Sequence, residues 1–213
     1  MTKSNSEVVS LAYSEDWCLK DLEMINHVEV FQNKPAILKK VETRLNKLKE
    51  AMAAELVSCA SQLPPNTDIE KGQIARGENN NGFPFLSLDI PQNFSKTEMY
   101  TYRTLFWWGH YLGFSLILKG EKLKTYFERL SQNCNKASFL DVYLSMAPTP
   151  WEWHQNEKLF TPVSKKVWAD KPNLLNHMKI MRFHPIADKA FKKLDWTEAG
   201  IKFWRDMAPV CLG

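Results

Sequence analysis

A long amphipathic helix is the clearest element that the residue pattern predicts. Apolar residues recur along it at steps of three and four, with Lys, Arg and Glu between them: Leu38, Val41, Leu45, Leu48, Met52 and Leu56. This spacing places them on one face of a helix. Pro35 suits the first helical position and Pro64-Pro65 end the pattern, so we expect one helix over residues 36–62.

Residues 104–118 are almost entirely apolar and predict a long central strand. The segment carries no formal charge if His110 is neutral, and it is too short to cross a bilayer as a helix, which takes about 20 residues. At a period of two, the even-numbered residues from Phe106 to Leu118 share one face and the odd-numbered residues the other. Because both faces are mostly apolar, we expect the strand to be covered on both sides.

The remaining pattern alternates between short helices and strands. We expect a helix starting at Ser14 and anchored by Trp17, Leu19 and Leu22. Ser95 and Glu98 have the spacing of a capping box, which predicts a short helix there. Further helices are expected over 121–132 and from Thr197 to Met207, and strands over 83–90, 139–146 and 178–183. In the second of these strands, Leu140, Val142, Leu144 and Met146 would face inward.

These elements predict a single α+β domain spanning residues 1–213, with a mixed or largely antiparallel sheet packed by the long N-terminal helix and further helices. Residues 1–12 are expected to be frayed. Residues 66–82 are mostly polar and turn-forming, and we expect a long disordered loop there. The sequence contains no internal repeat.

The charge is modest, at +4 for 213 residues, and the basic residues are spread along the chain. The densest cluster lies between Lys34 and Lys49, where Glu42 offsets part of the charge, as on a solvated helix face. This distribution argues against nucleic-acid binding. The N-terminus lacks the apolar core of a signal peptide, and the four cysteines are far apart, so we expect reduced thiols and a cytoplasmic protein that does not enter a membrane.

Residues 151–154, Trp-Glu-Trp-His, form the most site-like cluster. In an extended segment Glu152 and His154 share one side, while Trp151 and Trp153 share the other. A carboxylate beside an imidazole is the minimum for acid–base chemistry or for two ligands of a metal ion. No nucleophile or third ligand is identifiable, so we expect no metal or cofactor. A loop pinned by two tryptophans explains the same residues.

Three further residues are weaker candidates for a site. His110 is either a base or ligand in a dry pocket or a core histidine with satisfied ring nitrogens. Arg103 and Arg182 either bind an anionic ligand or form internal ion pairs, for example with Asp89 or Asp141. The sequence lacks Walker, GxGxxG, HExxH and GxSxG motifs, which argues against the common nucleotide-binding, zincin and α/β-hydrolase classes.

One run of motifs resembles a family of uncharacterised bacterial proteins with the pattern LDxP…FS…RTxFWWG…LxLxG. The matching residues are Leu88-Asp-Ile-Pro91, Phe94-Ser95, Arg103-Thr-Leu-Phe-Trp-Trp-Gly109 and Leu116, Leu118 and Gly120. The resemblance covers about 40 residues and implies a cytoplasmic bacterial domain. It supplies no catalytic residue.

Two classes of function stay open at this point. The first is a non-catalytic domain that binds a partner or a small ligand through an aromatic surface, with a protein partner or a second copy of the chain as the occupant. The alternative is an enzyme that uses Glu152 and His154 as an acid–base or metal-binding pair.

Overall fold

The computed structural model describes residues 16–166, 168 and 176–212. The predicted fraying of residues 1–12 lies outside them. The described residues up to Leu38 form one compact unit and those from Lys39 onward a second. The helices are α1 (Leu19–Ile25), α2 (Val28–Val57), α3 (Leu123–Asn133) and α4 (Trp196–Cys211). The strands are β1 (Gln73–Asn80), β2 (Phe83–Phe94), β3 (Met99–Trp107), β4 (Tyr111–Lys119), β5 (Tyr143–Ser145), β6 (Phe160–Pro162) and β7 (Met178–Pro185).

The seven described strands form one sheet in the order β1-β2-β3-β4-β7-β5-β6. Each neighbouring pair is antiparallel. The α+β prediction is therefore confirmed, and the sheet is the antiparallel alternative rather than the mixed one.

Helix α2 confirms the predicted apolar face but not the predicted ends. All six residues of the predicted stripe are buried. The helix starts at Val28 rather than after Pro35, because a proline removes one hydrogen bond without forbidding helical φ. It ends at Val57, and a separate 3₁₀ turn covers Ala60–Gln62.

The predicted single strand over 104–118 is wrong, because the chain reverses at residues 108–110. Trp107 pairs with Tyr111 as the last pair of the β3–β4 hairpin. Gly109 has φ +76°, a value that glycine adopts without the penalty other residues meet. His110 therefore lies in a turn and not on the face of a strand.

The prediction of a disordered loop over 66–82 is also wrong. Its second half is β1, whose Ile74 pairs with Leu88 of β2. The turn before it is organised by Asp68, whose carboxylate accepts the backbone N–H groups of Glu70, Lys71 and Gly72 at 2.9–3.2 Å. A polar strand forms here because ladder hydrogen bonds come from the backbone and do not need apolar side chains.

The capping-box pair Ser95 and Glu98 closes a hairpin instead of starting a helix. The Ser95 hydroxyl accepts the Glu98 N–H at 2.8 Å, as a cap would, but the Ser95 N–H also donates to the Glu98 carbonyl at 2.9 Å. Met99 then begins β3. The local hydrogen bond was predicted correctly, while pairing with β2 decided the conformation that follows.

The other predicted elements are largely confirmed. The helices over 121–132 and from Thr197 and the strand over 178–183 correspond to α3, α4 and β7. The strand predicted over 139–146 shrinks to β5, because residues 137–139 form a 3₁₀ turn. Val142 and Leu144 are buried as expected, but Leu140 is 69% exposed and Met146 only half-buried, since the turn breaks the alternation.

The two faces of the sheet are covered differently. On the first face, Tyr102 and Phe114 pack against Phe203 of α4, and the Tyr102 hydroxyl donates to the Gly200 carbonyl at 2.8 Å. On the second face, a smaller apolar cluster includes Trp107, Tyr111 and residues from the segment between β5 and β6. That second face carries most of the candidate site residues.

Candidate functional site

Residues 151–154 lie across the second face and are held there by Trp153. Its side chain is only 8% exposed and belongs to the apolar cluster of that face. The Tyr111 hydroxyl of β4 donates to the Trp153 carbonyl at 2.6 Å. Lys179 of β7 donates through Nζ to the Glu152 carbonyl. Three different contacts therefore fix the backbone of this segment to the sheet.

Lys179 is the ionisable residue of this cluster that the sequence analysis did not single out. It is fully buried, and its Nζ lies 4.0 Å from the centre of the Trp153 ring and 5.2 Å from that of Phe160. Burial lowers the pKa of Lys179 to about 7; the Glu152 carboxylate opposes this shift, and the Arg103 guanidinium adds to it. The sequence signal that could have identified it is a lysine at a buried position of the predicted strand over residues 178–183.

Arg103 of β3 is bound to Asp89 of β2 and lies beneath both tryptophans. Its Nε and Nη2 each donate to the Asp89 carboxylate at 2.7 Å, the bidentate geometry that favours arginine. The guanidinium carbon lies 4.9 Å from the ring centre of Trp151 and 5.7 Å from that of Trp153. The internal ion pair with Asp89, which the sequence offered as the alternative to anion binding, is thus present. Asp89 occupies the Nε and Nη2 donors that an anionic ligand would need for a bidentate contact.

His110 and His154 come together at the hairpin end of the second face. Their ring centres lie 6.4 Å apart. The His110 ring stacks on Trp107 at 3.7 Å and meets Phe83 edge-on at 4.8 Å. Burial lowers the pKa of His110, and His154 adds to the shift. This arrangement favours a neutral imidazole packed among aromatic rings.

Glu152 and His154 are linked through the backbone rather than through their side chains. The Glu152 carboxylate accepts the backbone N–H of His154 at 2.8 Å. The His154 ring instead lies edge-on to Trp107, with 6.4 Å between ring centres. An acid–base pair requires both side chains within reach of one proton. Here the Glu152 carboxylate holds the backbone of the loop instead, which favours the loop-pinning interpretation over the acid–base one.

Trp151 and Arg182 complete the predicted set, in separate places. Trp151 is 46% exposed, and its ring centre lies 6.5 Å from that of Phe94. Arg182 is buried on the first face, where it pairs with Asp141 at 2.8 Å and Asp206 at 3.1 Å. The two arginine candidates therefore do not share a site.

The buried amine of Lys179 predicts an unusual pH dependence of stability. Below pH 7 Lys179 is charged in both states. From pH 7 towards its ordinary pKa of 10.5, the unfolded chain keeps a proton that the folded chain has released, so the free energy of unfolding rises with pH. Lys179→Met should remove this rise, so that its difference from wild type changes by about 1–2.5 kcal/mol between pH 7 and 9.

Urea denaturation at several pH values measures this difference. The exposed Lys158→Met provides a control with the same change of side chain, and its difference from wild type should stay constant. A parallel dependence of the wild type and Lys179→Met would show that Lys179 keeps an ordinary pKa.

A second surface feature lies on the N-terminal arm, which we define as residues 17–31. Eight large apolar side chains of the arm are between 46% and 81% exposed: Trp17, Leu19, Leu22, Met24, Ile25, Val28, Val30 and Phe31. They make up eight of the fourteen exposed large apolar residues found in the described part of the chain. The prediction that Trp17, Leu19 and Leu22 anchor the first helix is wrong, because α1 buries none of its residues.

The described ranges contain neither a metal cluster nor a membrane helix. No group of three or more His, Cys, Asp or Glu side chains among them is placed to hold a metal ion. No helix within the same ranges is both long and apolar enough to cross a membrane.

Comparison with known proteins gives no match. No protein family, curated protein or solved structure matches the chain.

Proposed function

We propose that this protein is a binding protein that docks its N-terminal arm into an apolar groove of a partner protein. The exposure of eight large apolar residues within residues 17–31 carries the proposal. Exposed apolar patches of this kind mark interaction surfaces in soluble proteins. Trp17 and Phe31, which are 71% and 68% exposed, contribute large aromatic rings of the type that dominates binding energy.

The arm has the form of a helix that binds in a groove. Leu19, Leu22 and Ile25 follow one another at three-residue steps and so share one face of α1. The α1 backbone is already capped, since Asp21 accepts the Cys18 N–H at 2.9 Å. A preformed helix loses less conformational entropy on binding than a disordered segment does.

The charge of the arm indicates which kind of partner it binds: a lipid surface, a second copy of the arm or a groove of another protein. The arm carries three carboxylates, Asp21, Glu23 and Glu29, against the single amine of Lys20. Interfacial membrane helices are rich in Lys and Arg, so an acidic arm does not fit an anionic lipid surface. Two arms packed on each other would bring like charges together. A protein groove with an apolar floor and a basic rim fits both properties.

In-cell photocrosslinking tests this proposal. Trp17→p-benzoylphenylalanine should form one adduct with a partner protein, whose crosslinked peptide contains apolar residues flanked by Lys or Arg. The same photoreactive residue at Leu140, which is equally exposed outside the arm, should form none. Glu23→Lys with Glu29→Lys should lower the adduct yield at least about tenfold, because it replaces attraction with repulsion.

A charge reversal outside the arm provides the control. Glu70→Lys, at an exposed position, should leave the adduct yield unchanged. An equal loss with this control would mean that overall charge and not the arm controls the contact. An adduct of twice the chain mass would identify a second copy as the occupant, crosslinks to lipid would identify a membrane, and the absence of any adduct at Trp17 would remove the arm as a binding surface.

We also propose the bacterial cytoplasm as the location. The four cysteines are free thiols, which fits a reducing compartment. The Leu88–Gly120 pattern that resembles bacterial proteins supports the same assignment. A count of four thiols in the denatured protein, prepared without reductant, supports the compartment, whereas a lower count contradicts it.

A further inference from the structure

We infer that Pro35 forms a hinge in α2, which lets the N-terminal arm change direction as it docks. Pro35 lies inside the helix, with residues 28–34 before it and residues 36–57 after it. The role in docking rests on the function proposed above, whereas the hinge is a property of this chain alone. The inference depends on two features of this position, the backbone of the helix and the packing on either side.

The backbone of α2 is weakened at Pro35. Proline has no N–H, so the carbonyl of Phe31, four residues earlier, lacks the donor that it would have in an unbroken α-helix. The proline ring also crowds that carbonyl, which is why internal prolines bend helices. A missing hydrogen bond does not by itself make a hinge, because packing can hold the two sides in line. The surroundings of Pro35 therefore decide whether the helix swings there.

The packing of α2 begins only after Pro35. Residues 16–37 are exposed, apart from the half-buried Lys34. Leu38, which is 2% exposed, starts the buried stripe of the helix. Pro35 precedes it by three residues, less than one helical turn. The weak point of the backbone thus coincides with the place where the helix loses its packing, and segments with few buried contacts are the most mobile.

A second helical proline shows the opposite situation. Pro209 lies inside α4. Its neighbours Met207 and Val210 are fully buried, so packing holds the helix on both sides of that proline. The two prolines share the same covalent restriction, but only Pro35 adjoins a stretch of exposed helix. We therefore expect a hinge at Pro35 and none at Pro209.

The segment before the hinge is built to move as a unit. The Asn33 side-chain amide donates to the Glu29 carbonyl at 2.8 Å, a contact that lies entirely within residues 28–34. Hinges concentrate the change of backbone angles in a few residues and leave the elements on either side intact. Swinging at Pro35 would therefore keep the apolar side chains of the arm in place on their helices while the arm turns towards a groove that does not lie along the α2 axis.

Relaxation of ¹⁵N nuclei in the wild type and in Pro35→Ala tests the hinge without any partner. We expect order parameters below about 0.6 for residues 28–34 and of about 0.85 for residues 38–57, because nanosecond swinging adds to the local motion of the first segment. Pro35→Ala restores the missing N–H donor, so it should raise the values before position 35 to those after it. Pro209→Ala is the matched control and should change neither segment.

Chemical shifts of the Cα nuclei distinguish a hinge from unfolding. Helical shifts for residues 28–34 together with low order parameters support the hinge, whereas coil shifts would overturn it. Equal order parameters on both sides of Pro35 in the wild type would also overturn the inference. Values that stay low in Pro35→Ala would show that the proline is not their cause.

Photocrosslinking from Trp17→p-benzoylphenylalanine tests the role of the hinge in docking. Pro35→Ala should lower the adduct yield about threefold or more, because the arm keeps its side chains and charges but can no longer leave the α2 axis. An unchanged yield would remove the hinge from docking. The absence of any adduct with proline at position 35 would contradict the proposed function and the docking role, while the relaxation data would still decide the hinge.

Discussion

Replacing Trp153 with Ala is expected to lower the free energy of unfolding by about 3–5 kcal/mol. Trp153 fills the apolar cluster on the second face and covers the amine of Lys179. Removing the ring leaves a cavity in the apolar cluster. It also removes the indole that packs against the Lys179 amine. Chemical denaturation of the wild type and the variant measures the loss.

Trp151 is the matched control for that experiment. It lies two residues away, is the same residue type and contacts the same Arg103, but is 46% exposed. Trp151→Ala should therefore cost only about 1 kcal/mol or less. Equal losses at both positions would contradict the description of residues 151–154 as a loop pinned by Trp153. A further expected result is that Trp153→Ala weakens the pH dependence attributed to Lys179, since water would then reach the amine.

Replacing Asp89 with Ala is expected to cost a similar amount, about 3–5 kcal/mol. The Asp89 carboxylate is buried, and it accepts both hydrogen bonds of the Arg103 fork and one from the Thr101 hydroxyl at 3.1 Å. Removing it leaves the Arg103 guanidinium largely buried without its counter-charge. Thermal and chemical unfolding of the variant provide the measurement.

Two comparisons separate this effect from an ordinary lost ion pair. Glu42→Ala breaks an exposed pair with Lys39 and should cost no more than about 1 kcal/mol. Asp89→Ala combined with Arg103→Met should recover much of the loss, because no unpaired charge then stays buried. A double variant that is no more stable than Asp89→Ala alone would show that the cost comes from packing and not from charge.

The candidate site was predicted in part. The sequence identified Arg103, Trp151 and Trp153, and the structure brings these three into one cluster. It gave no reason to connect them with Lys179, because that lysine is 26 residues from Trp153 and reaches it through the pairing of β7 with β4 and β5. Arg182 was an equally reasonable candidate by sequence, but its position in β7 places it on the opposite face, next to α4.

The basic groove between α2 and the start of α4 shows even more clearly how little of the tertiary arrangement the sequence predicts. Arg44 and Lys47 were visible as part of a basic helix face, and a solvated surface was the reasonable interpretation. Lys192, Lys193 and Trp196 are about 150 residues further along the chain. No local pattern predicts that α4 begins beside α2, so these basic residues come together only in the folded chain.

The sequence by itself determined which side chains share a face of α2 and of the β3–β4 hairpin. This held even where the element was wrong: β3 and β4 were predicted as one strand, yet their odd- and even-numbered residues lie on the predicted faces. The reason is that the hairpin pairs Trp107 with Tyr111 and Met99 with Lys119, so odd residues stand beside odd residues across the turn. Periodicity is a local property of the backbone, and a turn of this length preserves it.

Only the tertiary structure decided where the chain reverses and which elements become neighbours. The polar residues of β1 form a strand because β2 offers it a ladder of backbone hydrogen bonds. The apolar residues of the N-terminal arm carry the pattern of a buried helix but are exposed. Burial depends on whether another surface is present to cover a side chain, and that surface is supplied by distant residues or by a partner and not by the local sequence.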